Sequence, residues 1–131
     1  MARVDGETRV YAVLGHPVRH SLSPRMQNAA FEAAGINAVY VALDVAPSRL
    51  EEALRGLHAG NVAGLNLTTP HKEAAFRLVS AVTGEAAAIE AVNTLLWEGD
   101  GWSGHATDGL GFLAWVAESG IDIAGRRGFW Q

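Results

Sequence analysis

Short apolar runs alternate with amphipathic segments along most of the chain. The runs from Arg9 to Gly15, from Ala38 to Val45 and from Val62 to Leu67 are typical of strands buried in a parallel sheet. The segments between and after them place apolar residues at helical spacing. They predict helices from Ser23-Pro24 to Gly35, from Pro47 to His58, from Thr68-Thr69-Pro70 through Val79, and from Glu85 to Ala91.

The pattern changes to a hairpin after the fourth predicted helix. Strands are predicted from Asn93 to Trp97 and from Gly101 to His105, on either side of Glu98-Gly99-Asp100. A last helix is predicted to start at Thr107 or Asp108 and to stop at Gly120. We therefore expect an α/β fold, a three-layer αβα arrangement with a mixed, mostly parallel sheet and a β-hairpin near its C-terminal end. One domain is expected over residues 1–120, and residues 121–131 are interpreted as a truncated tail where a further domain would begin.

Composition excludes several classes of function. The formal net charge of −4 argues against nucleic acid or an anionic membrane as a partner. No apolar stretch approaches the roughly 20 residues that cross a bilayer. The absence of cysteine excludes disulfides and thiolate metal sites, and fits a cytoplasmic protein.

The histidines and tryptophans are not expected to form a site. No histidine spacing matches a zinc motif, so no metal site is predicted, and His71 is expected to be solvated. The tryptophans are not interleaved with a basic patch, and we expect them to pack rather than to stack on bases. They are Trp97, Trp102, Trp115 and Trp130.

Polar side chains occur where the predicted strands end. Ser21 and Ser23 follow the first strand, Asn66 lies in the last part of the third, and Thr68 and Lys72 follow it. Asn93 begins the hairpin, and Thr107 and Asp108 follow it. Ligands of parallel α/β sheets bind beyond the carboxyl ends of the strands, so these groups are expected to converge on one cleft.

Ser21 and Ser23 allow two interpretations. In an extended segment, residues two apart point the same way, and the N-terminus of the following helix suits a carboxylate. Alternatively, Ser23 is only an N-cap and Ser21 an ordinary loop residue.

Lys72 is the only lysine among ten basic residues. Its predicted place in the first turn of a helix opposes the helix dipole, and a residue that breaks a local rule is often functional. Asp108 is either a helix cap or a carboxylate facing Lys72 across the cleft. Such a pair could hold a ligand hydroxyl and move its proton, whereas the simpler alternative is a solvated lysine beside Glu73.

Four segments, in order and at matching spacing, resemble shikimate dehydrogenase over the region from Arg9 to about Gly120. They are Gly15-His16-Pro17 running into Ser21-Leu22-Ser23-Pro24, then Asn66-Leu67-Thr68-Thr69-Pro70-His71-Lys72, then Ala91-Val92-Asn93-Thr94, and finally Thr107-Asp108-Gly109 with Gly111-Phe112. Each motif is weak alone, but four in order make a specific match to the family's N-terminal substrate-binding domain.

The resemblance implies NADPH-dependent reduction of 3-dehydroshikimate to shikimate, a step of aromatic amino acid biosynthesis. It implies that Ser21 and Ser23 hold the substrate carboxylate, and that Lys72 with Asp108 handles the proton of the reacting oxygen. Four residues are implied to bind the ring hydroxyls: Asn66, Thr68, Asn93 and Asp108. NADP is the cofactor of the full-length family.

The chain departs from the family in three respects. Glu90 stands where the family usually has glycine, and Ala106 where it usually has asparagine. After Gly125 the glycine-rich dinucleotide turn of the family does not follow. We therefore expect no G-x-G-x-x-G sequence, no bound cofactor and no turnover by this chain alone.

Other functions remain open at this stage. The chain could be a stand-alone polyol-acid binding or regulatory module, a fold without function, or part of a quinate/shikimate dehydrogenase. If apolar surface meant for a second domain is exposed, self-association as a two-fold homodimer is expected.

Overall fold

The computed structural model describes residues 4–107, which form six strands and four α-helices. In chain order they are β1 (Arg9–Gly15), α1 (Ser23–Ala34), β2 (Ala38–Asp44), α2 (Leu50–Ala59), β3 (Gly64–Leu67), α3 (Lys72–Phe76), β4 (Ala81–Val82), α4 (Gly84–Ile89), β5 (Thr94–Glu98) and β6 (Gly101–His105). A single 3-10 turn, Pro47–Arg49, leads into α2. The predicted last helix and the predicted tail lie outside the described residues.

The strands form one mixed sheet in the order β2-β1-β3-β5-β6-β4. β1 runs parallel to β2 and β3, β5 runs antiparallel to β3 and β6, and β4 runs parallel to β6. The predicted α/β fold, mixed sheet and hairpin are confirmed. β4 was not predicted, because two residues that pair with Ser103 and Gly104 leave no periodic signal in the sequence.

Helices cover both faces of the sheet. Along β1, Ala12 and Leu14 point to a core beneath α2, α3 and α4, whereas Tyr11 and Val13 point to a second core beneath α1. Leu54 of α2 belongs to the first core, and Phe31 of α1 to the second. Burial of a side chain such as either of these contributes about 1.5–3 kcal/mol. Three layers result, as the alternation along the strands requires.

The two described tryptophans pack, as predicted. Trp102 is 4% exposed and donates its indole N–H to the backbone oxygen of Leu54, at 2.9 Å. Trp97 donates to the backbone oxygen of His58 at 2.9 Å and stacks on the His58 ring, with ring centroids 4.9 Å apart. These contacts attach the hairpin to α2. Trp115 and Trp130 are not among the described residues.

The start of α1 differs from the prediction. Ser23 is the first residue of the helix, Leu22 is its N-cap, and no side chain caps it in the usual way. Leu22 has φ −89° and ψ −5°, so the expected extended segment between the two serines is wrong. The reason is a local bond in which the Ser23 N–H donates to the Ser21 hydroxyl oxygen at 3.2 Å, which bends the chain.

The third helix is shorter than predicted. Thr69 and Pro70 were expected to open it, but α3 begins at Lys72, and the Thr69–Pro70 peptide bond is cis. The Thr68 N–H donates to the Leu14 oxygen at 2.9 Å, and the His71 N–H to the Thr68 oxygen at 3.0 Å. Residues 68–71 therefore form a turn joined to β1, which takes the place of the first helical turn.

Glu90 keeps the backbone conformation that a glycine would favour. It ends α4 with φ 54° and ψ 41°, in the left-handed region, and its N–H donates to the Ala86 oxygen. Ala106, the other described departure from the family, packs against the core beneath α2. Within residues 4–107 no helix has the length and apolar character needed to cross a bilayer.

Candidate functional site

Predicted site residues gather at one edge of the sheet, which we call the polar edge. The carboxyl ends of β1 and β3 meet there because the two strands are parallel. β5 runs the opposite way, so its beginning lies at this edge, and β6 returns to it. The polar edge is the set Ser21, Ser23, Asn66, Thr68, Asn93 and Thr107, which come from four separate parts of the chain.

A cavity of about 250 Å³ lies at the part of the polar edge that holds Ser21 and Ser23, and we call it the serine cavity. Its lining residues are Val13, Pro17, Val18, His20, Ser21, Ser23 and Thr68. The loop holding the serines is fixed to the next loop, because the His16 N–H donates to the Thr69 oxygen at 3.2 Å. Both serines therefore reach one cavity, although the segment between them is not extended.

A chain of hydrogen bonds joins the two asparagines. The Tyr40 hydroxyl donates to Asn66 Oδ1 at 2.6 Å. Asn66 Nδ2 donates to Thr94 Oγ1 at 3.2 Å and to the Asn93 backbone oxygen at 3.4 Å. Thr94 Oγ1 donates to Asn93 Oδ1 at 3.0 Å. The asparagine side chains are thus held in place by buried hydroxyls.

Asn93 is also hydrogen-bonded to Thr107, which lies just beyond the end of β6. The Thr107 N–H donates to Asn93 Oδ1 at 2.9 Å, and Asn93 Nδ2 donates to the Thr107 oxygen. Thr94 Oγ1 and Thr107 Oγ1 are 3.0 Å apart. These bonds tie the beginning of β5 to the residue that immediately precedes Asp108.

Tyr40 and Thr94 were missed at the sequence level. Tyr40 is 1% exposed and Thr94 2% exposed, so both have the burial of core residues. Burial raises the pKa of the Tyr40 hydroxyl far above its ordinary value, and a hydrogen bond from the Ser23 side chain lowers it in part. Tyr40 is therefore a neutral donor that links the serine end to the asparagine end. The available signal was one hydroxyl-bearing side chain in each of two largely apolar strands.

Lys72 is exposed at the first position of α3, as the simpler interpretation also expected. Its backbone is fixed, since the Val92 N–H donates to the Lys72 oxygen at 3.0 Å. Among the described residues the side chain lies at the surface. Asp108 lies outside the described residues, so the proposed amine and carboxylate pair stays a prediction.

His71 is not solvated, contrary to expectation. It is 0% exposed, and its Nε2 lies 2.8 Å from the Val45 backbone oxygen. A carbonyl oxygen only accepts, so Nε2 carries the hydrogen and Nδ1 is an acceptor that has no partner among the described residues. The turn before α3 folds this ring inward. The ring therefore anchors the backbone next to Lys72 and does not compete with Lys72 for a ligand.

One expectation about the cofactor motif is wrong. Gly99, Gly101 and Gly104 do have the spacing G-x-G-x-x-G. They lie in the hairpin turn and in β6, whereas a dinucleotide turn must join a strand to the N-terminus of a helix. These glycines therefore do not fit a pyrophosphate.

A larger cavity, of about 570 Å³, lies between the end of β2 and α2. None of the predicted site residues lines it. Of its charged side chains, Arg49 and Glu52 pair with each other at 3.0 Å, and Asp44 Oδ1 lies 2.7 Å from His16 Nδ1. Chemistry rather than volume therefore places the candidate site at the polar edge. Across residues 4–107 no three potential metal-binding His, Cys, Asp or Glu side chains cluster together.

Comparison with known proteins shows which family the fold belongs to. Residues 13–95 match the family described as the shikimate dehydrogenase substrate binding domain. Shikimate dehydrogenase (NADP(+)) of Moorella thermoacetica is 51% identical over 97% of this chain, and that of Anaeromyxobacter dehalogenans 55% identical over 95%. The chain spans only 43% and 44% of the lengths of these relatives.

A solved structure has the same fold. Shikimate 5-dehydrogenase of Thermus thermophilus, in complex with NADP(H) and shikimate, superimposes with a TM-score of 0.74 at 41% sequence identity. The match covers 86% of this chain and 43% of that chain. Similarity is therefore confined to less than half of the larger protein.

Proposed function

Because the chain belongs to the shikimate dehydrogenase substrate binding domain family, we propose that it binds shikimate and 3-dehydroshikimate for an NADP-dependent dehydrogenase. The observation that carries this proposal is the convergence of hydroxyl and amide side chains on the polar edge, next to an exposed amine. A polyol acid needs both donors and acceptors around its ring and a separate site for its carboxylate.

The serine cavity is proposed to hold the carboxylate. The Ser21 oxygen accepts from the Ser23 N–H, which leaves the Ser21 hydroxyl hydrogen for a ligand oxygen. α1 is twelve residues long and starts at this point, so its partial positive end faces the same region. Arg19 and Arg25, both exposed, flank the serines in sequence and add positive charge.

The asparagine side of the polar edge is proposed to hold the ring hydroxyls. Asn66 and Asn93 are only partly buried, whereas Tyr40 and Thr94, whose hydroxyls hold them, are almost fully buried. The amides therefore reach the surface already oriented, which reduces the entropy lost on binding. Thr68, also partly buried, follows β3 after Asn66 and lines the serine cavity.

Lys72, with Asp108, is proposed to transfer the proton. A ketone that gains a hydride must also gain a proton at its oxygen, and general acid assistance is typically worth about 10²–10⁴ in rate. The backbone of Lys72 is held by Val92 and His71, while its side chain stays exposed and can follow the substrate oxygen.

NADP is proposed as the cofactor of the larger enzyme, not of the residues described. When bound, NADPH supplies the hydride. The glycine spacing in the hairpin does not fit it, and the relatives are more than twice as long as the matched segment, which supports a nucleotide site elsewhere in those proteins. The 131-residue chain alone is expected not to turn over.

Isothermal titration calorimetry of the purified chain with shikimate tests the proposal. We expect one binding site for shikimate. Ser21→Ala or Lys72→Met should lower the affinity by about tenfold or more, because each removes a hydrogen bond to a charged or polar ligand group. Arg77→Met is the matched control, since it removes an exposed cation from the end of the same helix.

Three results would contradict the proposal in different ways. No heat with shikimate would reject the binding function. An equal loss of affinity in Arg77→Met would show that Lys72 acts only through its positive charge. Quinate bound more tightly than shikimate would favour a quinate-type enzyme. A cytoplasmic location and a two-fold homodimer stay predictions, the latter measurable by light scattering.

A further inference from the structure

Thr94 lies behind the polar edge, where no ligand would reach it. It is 2% exposed, and its hydroxyl oxygen has three neighbours: Asn66 Nδ2 at 3.2 Å, Asn93 Oδ1 at 3.0 Å and Thr107 Oγ1 at 3.0 Å. A threonine hydroxyl has one hydrogen and two lone pairs, so three partners fill it completely.

The direction of each bond follows from this limit. Asn93 Oδ1 can only accept, so the single Thr94 hydrogen points to it. Asn66 Nδ2 can only donate, so it uses one lone pair of Thr94. The remaining lone pair must accept from Thr107, whose hydroxyl is therefore the donor of that bond.

Within residues 4–107, the same accounting shows which hydrogen-bonding groups each asparagine has left for a ligand. Both hydrogens of Asn66 Nδ2 are matched by acceptors, Thr94 Oγ1 and the Asn93 backbone oxygen, and one lone pair of Oδ1 accepts from Tyr40. Asn66 keeps one acceptor lone pair. Asn93 Oδ1 accepts from Thr94 and from the Thr107 N–H, and one Nδ2 hydrogen goes to the Thr107 oxygen. Asn93 keeps one donor hydrogen.

We propose that Thr94 is a positioning residue that sets opposite polarity on the two amides, so that Asn66 accepts from a ligand and Asn93 donates to it. This inference rests on the proposed function, because it takes the polar edge as the binding site. The ligand group facing Asn66 must then carry a hydrogen. A hydroxyl satisfies that requirement, whereas a carbonyl or an ether oxygen at the same place does not.

Thr94→Val tests the proposal, with Thr94→Ser as the conservative variant. Valine keeps the shape of threonine but removes the hydroxyl, so both amides lose the one partner that they share. We expect Thr94→Val to weaken shikimate binding to the 131-residue chain by about tenfold or more, and Thr94→Ser to remain within about threefold of the wild type. Thr83→Val is the control, because it removes a hydroxyl that caps α4 and lies outside this network.

A second readout does not need a ligand. The side-chain amide hydrogens of Asn66 and Asn93 would be followed in ¹⁵N-correlated NMR spectra. In the wild type and in Thr94→Ser we expect protected, well-separated pairs. In Thr94→Val we expect them to lose protection, while the backbone signals of β3 keep their dispersion. Thr83→Val should leave both pairs unchanged.

The outcomes separate the two ideas. If the wild type does not bind shikimate but Thr94→Val alone loses the protected amide signals, the proposed function fails and the positioning role survives. If Thr94→Val keeps both the amide signals and the affinity, the positioning role is rejected. Equal loss of affinity in Thr94→Ser and Thr94→Val would also reject it, because the hydroxyl would not be the cause.

Discussion

At the scale of single residues, the polar edge depends on side chains that are almost fully buried. Tyr40 and Thr94 place their hydroxyls beneath Asn66 and Asn93, and buried polar groups of this kind are normally fully hydrogen-bonded. Removing one partner leaves the other unsatisfied at a cost of about 1–3 kcal/mol. A ligand site that is supported in this way is rigid before the ligand arrives.

Glu90 gives a prediction at this scale. Its φ of 54° is in the left-handed region, which costs a residue with a Cβ about 1–2 kcal/mol. Glycine removes that cost but loses about 0.4–1 kcal/mol through the entropy of the unfolded chain. Glu90→Gly should therefore raise the free energy of unfolding by about 0.5–1 kcal/mol, measured by urea denaturation.

Asn61 provides the comparison for this substitution. It also has a positive φ, of 63°, but asparagine tolerates this region better than glutamate does. Asn61→Gly should stabilise less than Glu90→Gly. Equal or opposite effects of the two changes would show that backbone strain at Glu90 is not the cause.

At the scale of elements, the loops of the polar edge are held by close backbone contact between β1 and β3. Thr68 bonds to the Leu14 oxygen immediately before Gly15, the last residue of β1. A Cβ built on Gly15 would lie 2.5 Å from Thr68 Cγ2, well inside contact distance. The glycine therefore allows Thr68 to approach the end of β1.

Gly15→Ala should move Thr68 away from the serine cavity. We expect a loss of about 1–3 kcal/mol in the free energy of unfolding, as for other overpacked sites, together with weaker shikimate binding by calorimetry. Gly56→Ala is the matched control, since the same methyl group meets nothing within 4 Å in α2. It should stabilise the protein by about 0.5–1 kcal/mol, because alanine is the better helix former. A binding loss in both variants would contradict the local explanation.

The elements that could be predicted are those with their own periodic signal. β1, β2, α1, α2 and the hairpin have such signals, and the structure confirms them. The start of α3 could not be predicted, because Thr68-Thr69-Pro70 has the sequence of a helix start but forms a turn bonded to Leu14. β4 forms only because β6 lies beside it.

The candidate site, too, could be predicted only where the sequence has a signal of its own. That Ser21 and Thr68 lie close together could be predicted, because each follows the carboxyl end of a strand and the two strands are parallel. Their binding role stays a prediction. Tyr40 and Thr94 could not, because a tyrosine or threonine within a strand is usual and only the third dimension brings their hydroxyls to the asparagines. His71 was placed wrongly because its inward turn depends on the Val45 oxygen across the fold.

At the scale of the whole molecule, acid should weaken the fold partly through His105. Burial lowers the pKa of His105 below its ordinary value, while the charge of Glu98 opposes this. The Ser103 hydroxyl lies 2.7 Å from His105 Nε2. As the pH falls below about 6.5, the unfolded chain takes up a proton before the folded one, so this contribution to stability is present above that pH and is lost below it.

His105→Gln should therefore lose less stability than the wild type between neutral pH and about pH 5. The measurement is the free energy of unfolding against pH, from urea denaturation at each pH. His20→Gln, in the exposed loop after β1, is the control for the loss of a histidine as such. An unchanged slope in His105→Gln, or an equal change in His20→Gln, would contradict the assignment.

The antiparallel direction of β5 separates the hairpin turn from the polar edge. The chain leaves the polar edge at Asn93 and runs along β5 to a turn at Gly99 and Asp100. This turn lies at the opposite end of the strands, and β6 brings the chain back towards Thr107. Since the chain has no cysteine, Asp100→Cys would give it a single thiol for a fluorescent dye. A dye attached there would be a full strand length away from the ligand, so binding could be followed without obstructing it.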